Sequence, residues 1–199
     1  NKMAILAGDY LLARASISLA RLRQVDVVEC MSTIIEHLVR GEVMQMKGTS
    51  SSSDESRLTY YLRKNYFKTA SLMANSCRSA ALLGNYTQEL VDCSYAYGKH
   101  IGMAFQLVDD VLDFEGAAAL MGKPALSDLN AGLATAPVLY ALQSMPASDT
   151  ANLQTMMDRK FRQDGDVDKA VELVFASDGI EKTKELAQVH AELAMDAAL

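Results

Sequence analysis

The chain has 199 residues, half of them apolar, with 11 Met and no Trp, enough for one domain with a substantial core. Its net charge of −6 argues against a nucleic-acid groove and against a polybasic membrane anchor. Cys30, Cys77 and Cys93 are far apart, odd in number and without a C-x-x-C pair, which suggests neither a disulfide framework nor a zinc site and fits a reducing compartment.

Taken in order, the segments read with a period near 3.6, and only Pro124, Pro137 and Pro146 interrupt it. Met3 to about Leu22 is apolar on nearly all faces and predicts a core helix. Val25 to about Met46 carries a broad apolar stripe, and Gly48 to Asp54 is a Ser-rich loop. A long helix is expected from Arg57 to about Leu83, stopped by Gly84-Asn85. Another runs from Thr87 to Phe114, followed by a loop from Gly116 to Asn130. Shorter helices follow at about 131–143, 147–162, 166–177 and 178–199, with Asp166 and Asp178 as caps. No alternating strand is found, no uninterrupted apolar run reaches the roughly 18 residues of a membrane span, and no signal or transit peptide is visible. The pattern is that of an all-α bundle occupying a single domain, 1–199.

The segment Phe105-Gln106-Leu107-Val108-Asp109-Asp110-Val111-Leu112-Asp113-Phe114-Glu115-Gly116 crowds carboxylates onto an otherwise apolar helix. Asp109 and Asp113 lie one turn apart on one face, with Asp110 on its flank. Like charges at that spacing repel by only about 0.2–0.5 kcal/mol on an exposed helix. The repulsion grows if Phe105, Val108, Leu112 and Phe114 lower the local dielectric. Mg2+, which takes oxygen ligands and commonly bridges one or two carboxylates to a substrate phosphate, would reverse its sign. On spacing alone a solvated acidic helix end explains the same residues, and Gln106, which extends the polar row, is what favours a lined cavity.

Further motifs accompany this one: Gly8-Asp9-Tyr10-Leu11-Leu12, Gly41-Glu42 with Gln45, Tyr66 with Lys68-Thr69, and Asp128-Leu129 followed by Gly132, Thr135 and Pro137. Together, and in this order, they resemble the trans-polyprenyl diphosphate synthases. The resemblance is greatest to the long-chain type that makes quinone side chains, and it covers essentially the whole chain. It implies an isoprenoid-synthase helical bundle around a central cavity, incomplete at the N-terminus. In that family the acidic segment is the second of two aspartate-rich motifs, and the first is not found here; the chain is expected to be cut at both ends and to have little activity alone.

By the same resemblance, Asp109, Asp110 and Asp113 hold Mg2+ against a diphosphate, and Lys68 contacts that diphosphate directly. Thr69, Gln106 and Gln45 line the site, and Lys123 closes over it from the loop. The catalytic set is therefore Asp109, Asp110 and Lys68. Lys68 and Lys123 each have a plainer reading as a solvated lysine, Glu42 as a helix-end charge, and Asp128 as a helix cap rather than a partner of Lys123. His37, His100 and His190 have no second ligand at metal spacing and read as surface or satisfied core. Leu133 stands where shorter-chain members often carry a lysine, which supports the long-chain subclass and removes one diphosphate contact. Replacing Asp109 or Asp110 by Ala is expected to cut turnover by orders of magnitude and leave the fold intact.

The implied reaction condenses an allylic diphosphate with isopentenyl diphosphate. Implied partners are those two substrates and, in a homodimer or heteromer, further prenyltransferase chains, with peripheral membrane association open. The mitochondrion suits a ubiquinone-type enzyme and the plastid a plastoquinone type. Two rivals remain: a non-catalytic subunit, and a terpene cyclase, which would need a different metal motif that the chain does not show.

Overall fold

A computed structural model describes residues 2–47, 56–119 and 126–199. Its described elements are α1 (Lys2–Arg21), α2 (Val25–Lys47), α3 (Arg57–Asn65), a π-helical turn (Tyr66–Ala70), α4 (Ser71–Leu83), α5 (Gln88–Ala119), α6 (Ser127–Asn130), α7 (Ala136–Ser144), α8 (Ala147–Asp158), α9 (Asp166–Phe175) and α10 (Gly179–Ala198). No strand occurs among the described residues. The fold is the all-α bundle that the periodicity implied.

The 32-residue α5 is its axis and packs most extensively on α10 and α4. One buried cluster joins Tyr61, Leu107, Ala136, Leu139 and Ala187, tying α3, α5, α7 and α10 together. A second, built on Phe114, Leu129, Val138, Leu153, Phe161 and Val174, anchors the far end of α5 to α7, α8 and α9. α3 starts at Ser56, whose hydroxyl accepts from the Thr59 N–H at 3.1 Å and supplies the N-cap. Pro137 sits in the first turn of α7, where no intrahelical partner for its missing N–H is needed.

Several elements differ from the sequence expectation. The helix from Arg57 to Leu83 is interrupted by the π turn at Tyr66–Ala70, where one extra residue bulges the ladder. α5 continues to Ala119, and α6 forms inside the segment read as a loop. The helix read from 131 begins only at Ala136. Asp166 is the first residue of α9, not its cap: buried, it pairs with Arg159 and accepts from the Gln163 N–H at 3.1 Å, which holds the preceding turn. Asp178 stands at the cap position of α10 but makes no capping bond; Ser177 Oγ accepts from the Gly179 N–H instead, at 3.1 Å.

α1 is the largest departure. Expected in the core, it has no buried residue, and Met3, Tyr10 and Leu11 are among its most exposed side chains. All-round apolarity reads as burial, yet α1 has only α2 as a substantial neighbour. It is also long and apolar enough to cross a membrane by length and composition, with a mean hydropathy of 1.3. The expectation of no such segment rests on uninterrupted runs, and Asp9 and Arg14 interrupt this one. The three cysteines are free thiols, Cys30 buried and Cys77 and Cys93 half-buried, in keeping with the absence of a disulfide framework.

Candidate functional site

Lys68 and Thr69 lie on the π turn, which faces α2 on one side and α5 on the other. Against α2 the backbones close tightly. A Cβ added to buried Gly41 would meet Lys68 Cγ at 2.5 Å, so a residue without a side chain is what lets the turn seat there. Lys68 Nζ donates to Gln45 Oε1 at 2.7 Å and pairs with Glu42 Oε1 at 2.8 Å. Glu42 is thus a partner of the site lysine and not merely a charge at a helix end.

Toward α5 the polar chain continues. Thr69 Oγ1 donates to Gln106 Oε1 at 2.9 Å, and Gln106 Nε2 donates to Asp110 Oδ1 at 2.9 Å. Asp110 is 1% exposed, and its Oδ2 accepts from Tyr61 Oη and, at 3.2 Å, from the Ala136 N–H. Burial pushes its carboxyl pKa upward against the lowering effect of those three donors and of Lys64. Burial likewise raises the Tyr61 phenol well above its usual range, and Asp110 adds to it.

The three aspartates of the acidic segment therefore have three different environments. Asp109 is exposed and bonded to no described residue. Asp110 is buried and saturated with donors. Asp113 is half-buried and caps α6: Oδ1 accepts from the Ser127 N–H and hydroxyl, each at 3.0 Å, and Oδ2 from the Asp128 N–H at 3.2 Å. The expected cap, Asp128, is instead the second residue of α6, with its backbone N–H being capped. Asp128 carries a different burden. Burial and then the charges of Asp110, Asp113 and Asp109 push its carboxyl up to about 6.

Gln45, Lys68, Thr69, Gln106, Asp110 and Asp128 line one cavity of about 160 Å3. Thr135, named with the motifs but given no role, is another polar wall, and sequence reasoning missed three more, Tyr61, Lys64 and Asn65. These three stand seven, four and three residues before Lys68, on its own helical stripe, and reading that stripe backward from Lys68 would have found them. Lys123 lies outside the described residues. Phe105, Val108 and Leu112 are 57%, 47% and 56% exposed, so contrary to expectation they do not lower the dielectric around the aspartates; Leu107, Val111 and Phe114 are the buried side chains there. The histidines are satisfied as expected. His37 bonds Ser71 Oγ at 2.6 Å, and His100 and His190 bond each other through Nδ1 at 2.9 Å.

Among the described residues no three His, Cys, Asp or Glu side chains converge closely enough to hold a metal ion unaided. The arrangement fits a divalent cation in one respect. Asp109, next in sequence to the cavity-lining Asp110, has a carboxylate bonded to no described residue, and hard cations such as Mg2+ use one or two carboxylates and take their other ligands from water and phosphate.

The polyprenyl synthetase family model matches residues 1–174, and the chain belongs to that family. It is 52% identical to a probable mitochondrial hexaprenyl pyrophosphate synthase of Neurospora crassa, over 99% of this chain and 44% of that one. It is 49% identical to a decaprenyl-diphosphate synthase of Dictyostelium discoideum, over 100% of this chain and 42% of that one. Among solved structures, the apo medium/long-chain length prenyl pyrophosphate synthase of Arabidopsis superposes with a TM-score of 0.85 at 43% identity, over 99% of this chain and 64% of that one. A Caulobacter crescentus polyprenyl synthase complexed with calcium and isoprenyl diphosphate superposes with a TM-score of 0.85 at 29% identity, over 98% and 59%. The chain thus spans less than half the length of these curated relatives.

Proposed function

We propose that the protein to which this chain belongs condenses an allylic diphosphate with isopentenyl diphosphate to build a long polyprenyl diphosphate for a quinone side chain. The observation that carries this reading is the continuous polar wall from Lys68 through Thr69 and Gln106 to Asp110, lining a cavity on a mostly apolar bundle. A lysine ammonium and a row of polar side chains at one end suit a diphosphate leaving group, whose charge must be neutralised as it departs.

Lys68 supplies fixed positive charge at that diphosphate, and Gln45 and Glu42 hold its ammonium in place. Thr69 and Gln106 orient the oxygens. Asp110, locked by Tyr61 and the Ala136 N–H, fixes Gln106 and so the geometry of the row. Asp109, with Asp113 if α6 releases it, would hold Mg2+, which neutralises developing negative charge on the leaving group when bound. The calcium in the Caulobacter structure supports a divalent cation of this kind.

A mitochondrial location is supported by the name of the Neurospora relative, and a homo- or hetero-oligomer by the exposed apolar surface of α1 and the groove of about 620 Å3 it forms with α2. The test is incorporation of radiolabelled isopentenyl diphosphate by the full-length protein with Mg2+ and an allylic primer. Long-chain products that vanish in Lys68→Met and Asp109→Ala are expected. No elongation by the intact protein would overturn the proposal.

A further inference from the structure

Lys64 sits one turn before Lys68 and lines the same cavity. Two ammonium groups at i and i+4 repel, and burying one adds a desolvation cost, so the pair is disfavoured unless an anion comes between them. No carboxylate among the described residues forms an ion pair with Lys64, Asp128 on the same cavity included. Both oxygens of Asp110 are occupied by Tyr61, Gln106 and the Ala136 N–H, and Glu42 is taken by Lys68. Among the described residues Lys64 makes no hydrogen bond or ion pair; its ammonium lies 5.3 Å from the centre of the Tyr61 ring. Asp110 and Asp128 attract it through space without bonding it.

Its surroundings leave room to move. Lys64 borders both the 160 Å3 cavity and an adjoining one of about 60 Å3, and Leu133 borders both with it. The Leu133 side chain offers no donor, so among the described residues the cation on this side of the cavity is the one α3 delivers. With three unspent donors at the end of a flexible stem, Lys64 is suited to a multiply charged oxyanion.

We propose that Lys64 is a second diphosphate-binding residue, which reaches from α3 across the Leu133 side of the cavity to the oxygens that Lys68 does not cover. The proposal rests on the condensation reading for the identity of the diphosphate, but not for the presence of an anion site. In the full-length protein, Lys64→Met is expected to raise the KM for the allylic diphosphate and the Ki of inorganic pyrophosphate roughly tenfold, equivalent to about 1.4 kcal/mol. Lys64→Arg, which keeps the charge, is expected to restore most of the loss; the thermal midpoint of Lys64→Arg should match the parent and that of Lys64→Met should equal or exceed it. Lys64→Gln serves in place of the methionine variant should the latter not fold.

An unchanged Ki and KM in the charge-removing variant would overturn the assignment. So would a lowered thermal midpoint with pyrophosphate affinity intact, which would make Lys64 a structural cation. Should the intact protein fail to elongate at all, the condensation reading falls, and calorimetric titration of inorganic pyrophosphate into parent and variant still decides the site: equal affinities would refute it.

Discussion

Asp109 and Asp110 are neighbours in sequence, and truncating each to Ala should separate their roles. Asp109→Ala removes an exposed side chain bonded to no described residue, so its stability cost is expected to stay within about 0.5 kcal/mol. Asp110→Ala strands three donors: the Tyr61 hydroxyl, the Ala136 N–H and Gln106 Nε2. Tyr61 is 2% and Ala136 0% exposed, so neither recovers a bond to water. At about 1–3 kcal/mol per orphaned buried donor, the two lose about 2–6 kcal/mol. Removing a carboxylate whose charge is itself disfavoured by burial returns part of that, leaving a net loss of about 2–4 kcal/mol out of a total of about 5–15 kcal/mol. Asp110→Asn should recover much of the loss, because its Oδ1 can still accept from Tyr61 and Ala136 while Gln106 rotates its amide to face the new NH2. Urea unfolding of the full-length variants, followed by circular dichroism at 222 nm, measures this. A midpoint about 1 M or more below the parent for Asp110→Ala is expected, with Asp109→Ala unshifted. Equal midpoints for the two alanine variants would refute the reasoning, since the burial of Asp110 would then contribute nothing to the fold. Both replacements are expected to leave the fold intact, and they differ in how much of its stability they remove.

Other consequences can be measured in the same preparations. Gly98→Ala would place a Cβ 2.5 Å from the Met73 carbonyl oxygen and 2.8 Å from Ala74 Cα, both backbone atoms of α4, so prying α5 from α4 should cost about 1–3 kcal/mol or more, read from the urea midpoint. Gly41→Ala would push on Lys68 Cγ at 2.5 Å and on its backbone N at 3.2 Å; the turn must shift away from α2, so the urea midpoint should fall, and turnover with it as the ammonium leaves Gln45 and Glu42. Burial lowers the pKa of His100 and of His190, and His100 lowers that of His190 further. A histidine whose folded pKa lies below the unfolded value near 6.5 contributes stability that is fully present above that pH and is lost as pH falls through it. The parent's urea midpoint should therefore drop more between pH 7.5 and 5.5 than that of the His100→Gln, His190→Gln double variant, and parallel curves would dismiss the pair as the cause.

Much of the bundle was legible because helix periodicity and turn residues are local. Lys68, Thr69, Gln106 and Asp110 line one cavity, whereas Asp109 and Asp113 stand outside its lining. What failed were statements about environment. Phe105, Val108 and Leu112 look like core on a helical wheel, but whether an apolar stripe is buried depends on which element covers it, and no periodicity contains that information. The same holds for α1, whose apolar faces meet little beyond α2. The π turn left no signal either, since inserting one residue into a hydrogen-bond ladder changes no composition; it is visible only through Gly41, the small residue that lets Lys68 approach α2.

The division of labour among the carboxylates follows from where α6 and α7 meet α5. Ala136 opens α7 with an N–H that must be satisfied in a dry core, and Asp110 is the acceptor within reach; Ser127 and Asp128 open α6, and Asp113 accepts there. Two of the three aspartates thus serve as helix caps supplied from another helix, which binds the segment after α5 to the wall of the cavity. Ligand binding at Asp113 must then compete with the start of α6, whereas binding at Asp109 competes with nothing but water. The acidic cluster is consequently asymmetric before any ligand arrives. Asp109 is bonded to no described residue, Asp113 is committed to the start of α6, and Asp110 is fixed by Tyr61, Gln106 and the Ala136 N–H.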